Sequence, residues 1–104
     1  MHEIDENNYT KIVESCGDKI LILKAGATWC APCTASREPF IELAKELKDT
    51  FVLGEMDIDS SPNLGGKLFI RSVPCFFKIK NKEVVDQKVG WTTKEDLRKW
   101  IQSN

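Results

Sequence analysis

A Cys-x-x-Cys pair between a strand pattern and a helix pattern restricts the fold of this chain more than any other feature. The segment Trp29-Cys30-Ala31-Pro32-Cys33 follows the short apolar run Ile20-Leu21-Ile22-Leu23. It precedes apolar residues at helical spacing, namely Phe40, Ile41, Leu43, Ala44 and Leu47. The spacing therefore predicts a strand-to-helix junction with Cys30 near the helix N-terminus.

This placement predicts the chemistry of the two thiols. A helix N-terminus presents unpaired N–H groups and the positive end of the helix dipole, and both stabilise an anion. The pKa of the Cys30 thiol should therefore lie below that of a free cysteine, and the thiolate is the nucleophilic form. Cys33 lies one turn further into the helix, so we expect it to be buried, protonated and ready to resolve a mixed disulfide.

The motif resembles that of the thioredoxin family. The likeness covers nearly the whole chain, because Val73-Pro74 and Val89-Gly90 follow Trp-Cys-x-Pro-Cys in the expected order. It implies an α/β thioredoxin fold, a central mixed β-sheet of four to five strands flanked by about four helices. The length of 104 residues suits a single domain over residues 1–104. The dipeptide Ala31-Pro32 is closer to the Gly-Pro of typical thioredoxins than to the His-containing dipeptides of oxidising relatives.

The resemblance implies a protein-disulfide reductase that works by thiol–disulfide exchange. Cys30 would attack a target disulfide, and Cys33 would then release the reduced target. The reaction needs no prosthetic group or metal. It needs disulfide-containing protein substrates and an electron donor, by family analogy a thioredoxin reductase, which would place the chain in electron transport. We expect it to act as a monomer.

The resemblance also implies where substrates bind. The Val73–Pro74 bond should be cis and lie against the active-site disulfide, and the backbone of Val73 should pair with a bound polypeptide. Gly90 lies where the family needs a close approach of the backbone to substrate, and Trp91 beside it would extend an apolar contact surface. The candidate substrate-binding residues are Trp29, Pro32, Val73, Pro74, Gly90 and Trp91.

Lys24 departs from the family pattern. A strand covered on both faces has little room for an ammonium group. Thioredoxins usually carry a buried aspartate here and a lysine at the position of Glu55, so the two charges are exchanged. Our hypothesis is a Lys24–Glu55 pair beneath Cys33 that exchanges protons with this thiol. Alternatively, Lys24 extends to solvent and Glu55 is an ordinary strand-end charge. The family often has an aromatic residue near Gly26, so this side of the site should be more open.

The remaining cysteines have structural and functional interpretations. Cys16 is either a small, half-buried apolar residue, which we favour, or an accessory thiol. Cys75 is either inert core, which we also favour, or a third thiol close to the active pair. A zinc site is disfavoured, because one Cys-x-x-Cys supplies two of the usual four ligands and the only histidine is His2.

Composition excludes several classes of function. A net charge of −1 gives no electrostatic basis for binding nucleic acid or a membrane surface. The apolar fraction of 41% and the charged fraction of 30% are typical of a globular protein. Residues 1–5 are too polar for a signal peptide and no apolar run approaches a membrane span, which predicts a cytoplasmic location. Structural disulfides are rare there, so the cysteines indicate catalysis, metal binding or packing.

Two other functions stay open at this point. The departures at Lys24, Gly26, Glu55 and Cys75 suit a thioredoxin-like module with a dedicated partner and an atypical reduction potential. A dedicated oxidant or isomerase is disfavoured by the predicted location and by the Ala-Pro dipeptide.

Local patterns predict the other elements. Helices are expected over residues 5–15, 31–48 and 64–69, the second interrupted by Pro39. A last helix is capped by Thr92 or Thr93 and buries Trp100. Strands are expected over residues 20–25, 51–58, 76–79 and 83–89.

Overall fold

Five strands form one mixed sheet in a computed structural model that describes residues 1–104. The strands are β1 (His2–Glu3), β2 (Ile20–Gly26), β3 (Phe51–Asp57), β4 (Cys75–Lys80) and β5 (Glu83–Val89). Their order across the sheet is β1-β3-β2-β4-β5. The β1–β3 and β2–β3 pairs are parallel, whereas β4 is antiparallel to both β2 and β5. The predicted mixed sheet is therefore confirmed, with the strand before the Cys-x-x-Cys pair at its centre.

Four helices cover the sheet, as predicted. They are α1 (Tyr9–Ser15), α2 (Ala31–Glu46), α3 (Pro62–Lys67) and α4 (Lys94–Gln102). None of the four is long and apolar enough to cross a membrane.

The central strand β2 supplies side chains to two apolar cores. Leu21, Leu23 and Ala25 pack with α1 and α3 on one face of the sheet. Ile22 packs with α2 and α4 on the other face. Because side chains alternate along a strand, Lys24 must share the face of Ile22. Burial on both faces explains why this segment is almost continuously apolar in sequence.

The structure corrects several predicted boundaries. The helix expected from Asp5 begins only at Tyr9, because the Asp5 carboxylate accepts hydrogen bonds from the N–H groups of Asn7 (2.8 Å) and Asn8 (2.9 Å) and holds a separate turn. The α3 helix ends at Lys67 instead of Phe69, since Phe69 has a φ of +56°, which is outside the helical range.

Trp100, predicted to be buried, contacts the core but is half-buried. It packs against the α2–α4 core, while its Nε1 donates a hydrogen bond to Asp86 Oδ2 at 3.1 Å. The indole N–H needs a polar partner, which keeps this edge of the ring at the surface.

The capping interaction predicted for the last helix is present and testable. Thr93 Oγ1 accepts a hydrogen bond from the backbone N–H of Asp96 at 3.0 Å. Thr93→Ala should lower the free energy of unfolding by about 1 kcal/mol, because a helix N–H loses its acceptor. Urea denaturation checks this value, with the exposed Thr10→Ala as the matched control. Equal stability of the two variants would contradict the prediction.

Candidate active site

Cys30 and Cys33 form a disulfide at the start of α2. Cys30 is the N-cap residue, and its Sγ accepts a hydrogen bond from the backbone N–H of Cys33 at 3.2 Å. Pro32 occupies the first turn, where its missing N–H costs nothing. The predicted strand-to-helix junction is confirmed, and Cys30 lies where an anionic sulfur is stabilised by helix N–H groups.

The loop before β4 lies against this disulfide. The Val73–Pro74 peptide bond is cis, as expected. The carbonyl oxygen of Val73 is 3.7 Å from Cys30 Sγ, and the Val73 side chain packs against the two cysteines and Ala27. Gly90 joins the same loop, because its N–H donates to the Pro74 carbonyl at 2.8 Å with a φ of +88° that glycine adopts easily. The fold therefore brings Val73, Pro74 and Gly90 together beside Cys30.

Trp29 forms the exposed flank of the site. Its side chain is 68% exposed, and its Nε1 donates a hydrogen bond to Asp59 Oδ2 at 2.8 Å. A groove of about 250 Å³ runs beside it, lined by Trp29, Ile58, Ile70, Arg71, Ser72 and Val73. Sequence reasoning missed Ile58, Ile70, Arg71 and Ser72, although the last three lie within three residues of Val73. Trp91 is half-buried against the α2–α4 core, so only part of its ring remains available at the surface.

Lys24 is buried directly beneath the first turn of α2. Lys24 is only 3% exposed, and its Nζ donates a hydrogen bond to the Cys33 carbonyl at 2.8 Å. Ser36 Oγ donates to the same carbonyl at 3.0 Å. Burial lowers the pKa of Lys24, and the charge of Glu55 opposes this shift. The alternative in which Lys24 extends to solvent is therefore wrong.

Glu55 lies opposite Lys24 in the β2–β3 register but has a different partner. Its carboxylate accepts a hydrogen bond from Arg37 Nε at 3.1 Å and forms an ion pair with the same guanidinium. The direct Lys24–Glu55 ion pair of our hypothesis is thus replaced by two contacts, Lys24 with a helix carbonyl and Glu55 with Arg37. The sequence signal for Arg37 was its position four residues after Cys33, on the same helix face.

A second cavity, of about 350 Å³, opens behind Cys33. Its lining residues are Glu3, Lys24, Gly26, Ala27, Thr28, Cys33, Thr34, Arg37, Glu55, Met56 and Asp57. A Cβ atom at Gly26 would lie 3.3 Å from Cys33 Cβ and 3.4 Å from its Sγ. Glycine therefore keeps this wall of the cavity open, in agreement with the more open site expected from the sequence.

The two remaining cysteines pack apart from the active pair. Cys75 lies opposite Ala25 in the β2–β4 register and faces the α1–α3 core, whereas Cys33 approaches the other face of the sheet. Burial raises the pKa of Cys75, whose sulfur accepts a hydrogen bond from Gln87 Nε2 at 3.0 Å. Burial also raises the pKa of Cys16. These surroundings favour the packing interpretation of both thiols.

Known proteins resemble this chain in sequence and in architecture. The family model described as Thioredoxin matches residues 1–103. A thioredoxin of Chlorobaculum thiosulfatiphilum is 34% identical over 97 residues, covering 93% of this chain and 88% of that protein. A thioredoxin of Rickettsia felis is 33% identical over 101 residues, covering 96% and 94% respectively.

A solved structure extends the comparison to three dimensions. The germline-specific thioredoxin Deadhead of Drosophila melanogaster superposes with a TM-score of 0.87 at 25% identity, covering 97% of this chain and 95% of that one. Sequence, fold and the disulfide at the helix N-terminus agree. The chain belongs to the thioredoxin family, and Cys30 and Cys33 are the redox pair of a dithiol–disulfide oxidoreductase.

Proposed function

We propose that this protein reduces disulfide bonds in other proteins, with Cys30 as the nucleophile and Cys33 as the resolving thiol. One observation carries the assignment of roles. The sulfur of Cys30 is the N-cap acceptor of the Cys33 N–H, so a thiolate at Cys30 gains a hydrogen bond and the field of α2. Cys33 lies inside the helix, one turn away, where it reaches Cys30; the two cysteines are similarly buried, at 4% and 6% exposed, so the assignment of roles rests on the N-cap contact.

The reaction then proceeds in two exchanges. The Cys30 thiolate attacks one sulfur of the target disulfide, forms a mixed disulfide and expels the other target sulfur as a thiolate, which takes a proton. Cys33 loses its proton and attacks Cys30 Sγ, which releases the second target thiolate and leaves the Cys30–Cys33 disulfide. The two-residue spacing makes the second exchange intramolecular and therefore fast.

The surface beside Cys30 supplies the proposed substrate contacts. Val73 offers its carbonyl beside the reacting sulfur, and the cis bond to Pro74 fixes its direction. Trp29 and Pro32 are exposed next to Cys30, and the groove along Trp29 ends at Val73. An extended polypeptide can pair with this backbone while its side chains enter the groove. Gly90 donates its N–H to the Pro74 carbonyl of this loop, and Trp91 follows it in the chain.

We propose that Lys24 and Glu55 are positioning residues that act through Cys33. Lys24 holds the Cys33 carbonyl, and its pKa is lowered by burial, so it is the better placed of the two to accept the Cys33 proton. Glu55 favours the charged form of Lys24 and holds Arg37 at the rim of the same cavity.

The cycle requires a donor of electrons. We propose a thioredoxin reductase in this role and a monomeric, cytoplasmic protein whose residues 1–104 act as one domain in electron transport. The support is chemical, because a reducing dithiol turns over only where electrons are continuously supplied to its disulfide.

Equilibrium titration of the Cys30–Cys33 pair tests the proposed direction of electron flow. The measurement uses glutathione or dithiothreitol as the redox buffer, in a background of Cys16→Ser and Cys75→Ser. We expect a potential below the glutathione pool, near the value of about −270 mV that is established for thioredoxin, together with turnover on protein disulfides.

Two other outcomes would contradict the proposal. A potential near that of protein disulfide isomerase, about −180 mV, would assign the pair to oxidation or disulfide shuffling. A strongly reducing potential with negligible turnover on general substrates would favour the dedicated-partner module.

A further inference from the structure

Phe69 is the most exposed large apolar residue of the chain. It is 79% exposed, and the next most exposed is Trp29, at 68%, on the flank of the active site. Single apolar residues at a protein surface are common, so exposure alone assigns Phe69 no role. Its backbone conformation and its place in the chain distinguish it from the other exposed apolar residues.

Phe69 occupies a backbone position that suits glycine. It follows Leu68, the C-cap residue of α3, and its N–H donates to the Gly66 carbonyl at 3.1 Å. The N–H of Ile70 donates to the Gly65 carbonyl at 3.0 Å. This pair of hydrogen bonds closes a helix through one left-handed residue, which is usually glycine. Phe69 has a φ of +56°, a conformation that is strained for a residue with a Cβ atom.

No hairpin turn explains the conformation of Phe69. The other non-glycine residues with positive φ are Asn81 and Lys82, which form the two-residue turn between β4 and β5. Such a turn requires positive φ at both positions. Phe69 therefore combines a strained backbone with an exposed aromatic ring, and neither feature stabilises the folded chain. Strain of this kind is concentrated at positions that have a function.

Phe69 begins the segment that forms one wall of the groove beside Trp29. Residues 70–73 all line this groove, and the Val73 carbonyl lies 3.7 Å from Cys30 Sγ. Phe69 precedes Val73 by four residues. The chain between them spans at most about 14 Å, which an extended substrate also covers with about four residues. The ring is therefore within reach of a polypeptide whose cysteine is bound at Cys30.

We propose that Phe69 is a specificity-determining residue, which contacts an apolar side chain of the protein substrate within about four residues of the target cysteine. The inference rests on the proposed function, in which Cys30 attacks that cysteine while the substrate backbone pairs with Val73. The contact removes two apolar surfaces from water and so stabilises the complex in which exchange occurs. Substrates without the apolar residue lose this contribution but undergo the same exchange.

A panel of peptide disulfides tests the preference. Each substrate is a symmetric, disulfide-linked dimer of a short peptide with a central cysteine, in which leucine replaces serine at a single position. Turnover with dithiothreitol as donor gives kcat/KM after the uncatalysed rate is subtracted. We expect leucine on one side of the cysteine to raise kcat/KM about fivefold over the all-serine peptide, as partial burial of one apolar side chain allows.

Substitutions at position 69 separate the ring from the backbone. Phe69→Ala should abolish the leucine preference, whereas Phe69→Leu should keep most of it because an apolar side chain remains. Phe69→Gly should abolish the preference and also raise the urea midpoint of unfolding, since glycine adopts a φ of +56° without strain. The matched control is Val85→Ala, which truncates a 54% exposed residue on the edge strand β5 and should leave the preference unchanged.

Equal kcat/KM for the serine and leucine peptides at every position would overturn the inference, as would a preference that survives Phe69→Ala. A lower urea midpoint in Phe69→Gly would also overturn it, because the ring would then be stabilising the chain itself. In each of these cases the peptides are still reduced and the proposed function is unaffected. Absence of turnover with every peptide would instead contradict the proposed function, and the inference with it.

Discussion

Cys30→Ser should abolish disulfide-reductase turnover, with a loss on the order of 10³-fold or more. A serine hydroxyl at the N-cap still accepts the Cys33 N–H, so the fold is kept while the nucleophile is lost. Cys33→Ser should instead stop the reaction halfway, because Cys30 still attacks but no thiol resolves the mixed disulfide. Turnover on a protein disulfide with dithiothreitol as donor measures the first effect. Non-reducing electrophoresis measures the covalent complex that should accumulate with Cys33→Ser.

The other two cysteines supply matched controls for the same chemical change. Cys75→Ser and Cys16→Ser should each keep turnover within about twofold, because neither sulfur lies on the face or loop of the active pair. Covalent complexes that accumulate with Cys30→Ser instead of Cys33→Ser would contradict this assignment, because they would show that Cys33 makes the first attack.

Local sequence signals were sufficient to predict the redox pair and its surroundings. The apolar run of β2 and the helical spacing after Cys33 each specify the backbone within a few residues. They placed Cys30 near the N-terminus of a helix, where it is found as the N-cap residue. Family resemblance then supplied the order of the elements and the cis bond between Val73 and Pro74, which is present.

Side-chain partners depend on packing and were less predictable. The register places Lys24 opposite Glu55, which the sequence suggested, but the rotation of α2 brings Arg37 to Glu55 and the Cys33 carbonyl to Lys24. The start of α1 depended on the Asp5 carboxylate binding two backbone N–H groups, a local competition that residue spacing does not reveal.

Lys24→Met should raise the free energy of unfolding at pH 7 by about 1 to 3 kcal/mol, because it removes a buried charge whose only hydrogen bond is to a neutral carbonyl. The difference should shrink as the pH rises. Burial lowers the pKa of Lys24 from its ordinary 10.5. At pH values between this lowered pKa and 10.5, the unfolded chain therefore binds more protons than the folded protein. Wild-type stability therefore rises with pH in this window, whereas below it the whole cost of burying the ammonium remains.

Urea denaturation from pH 6 to 10.5 measures this difference, with exposed Lys11→Met as the control for loss of an ammonium in general. Glu55→Gln should move the window to lower pH, because the carboxylate is what favours the charged form of Lys24. A difference in stability between Lys24→Met and wild type that is independent of pH would contradict a lowered pKa for this lysine.

The same variants separate stability from proton transfer to Cys33. If Lys24 and Glu55 tune that thiol, the double variant Lys24→Met, Glu55→Gln should fold normally but shift the pH profile of turnover, since Cys33 must lose its proton before it attacks Cys30. Lys24→Met alone should account for most of the shift, because Lys24 contacts the Cys33 carbonyl whereas Glu55 is held by Arg37. An unchanged rate and pH profile in the double variant would exclude both residues from proton exchange and leave Lys24 with a packing role alone.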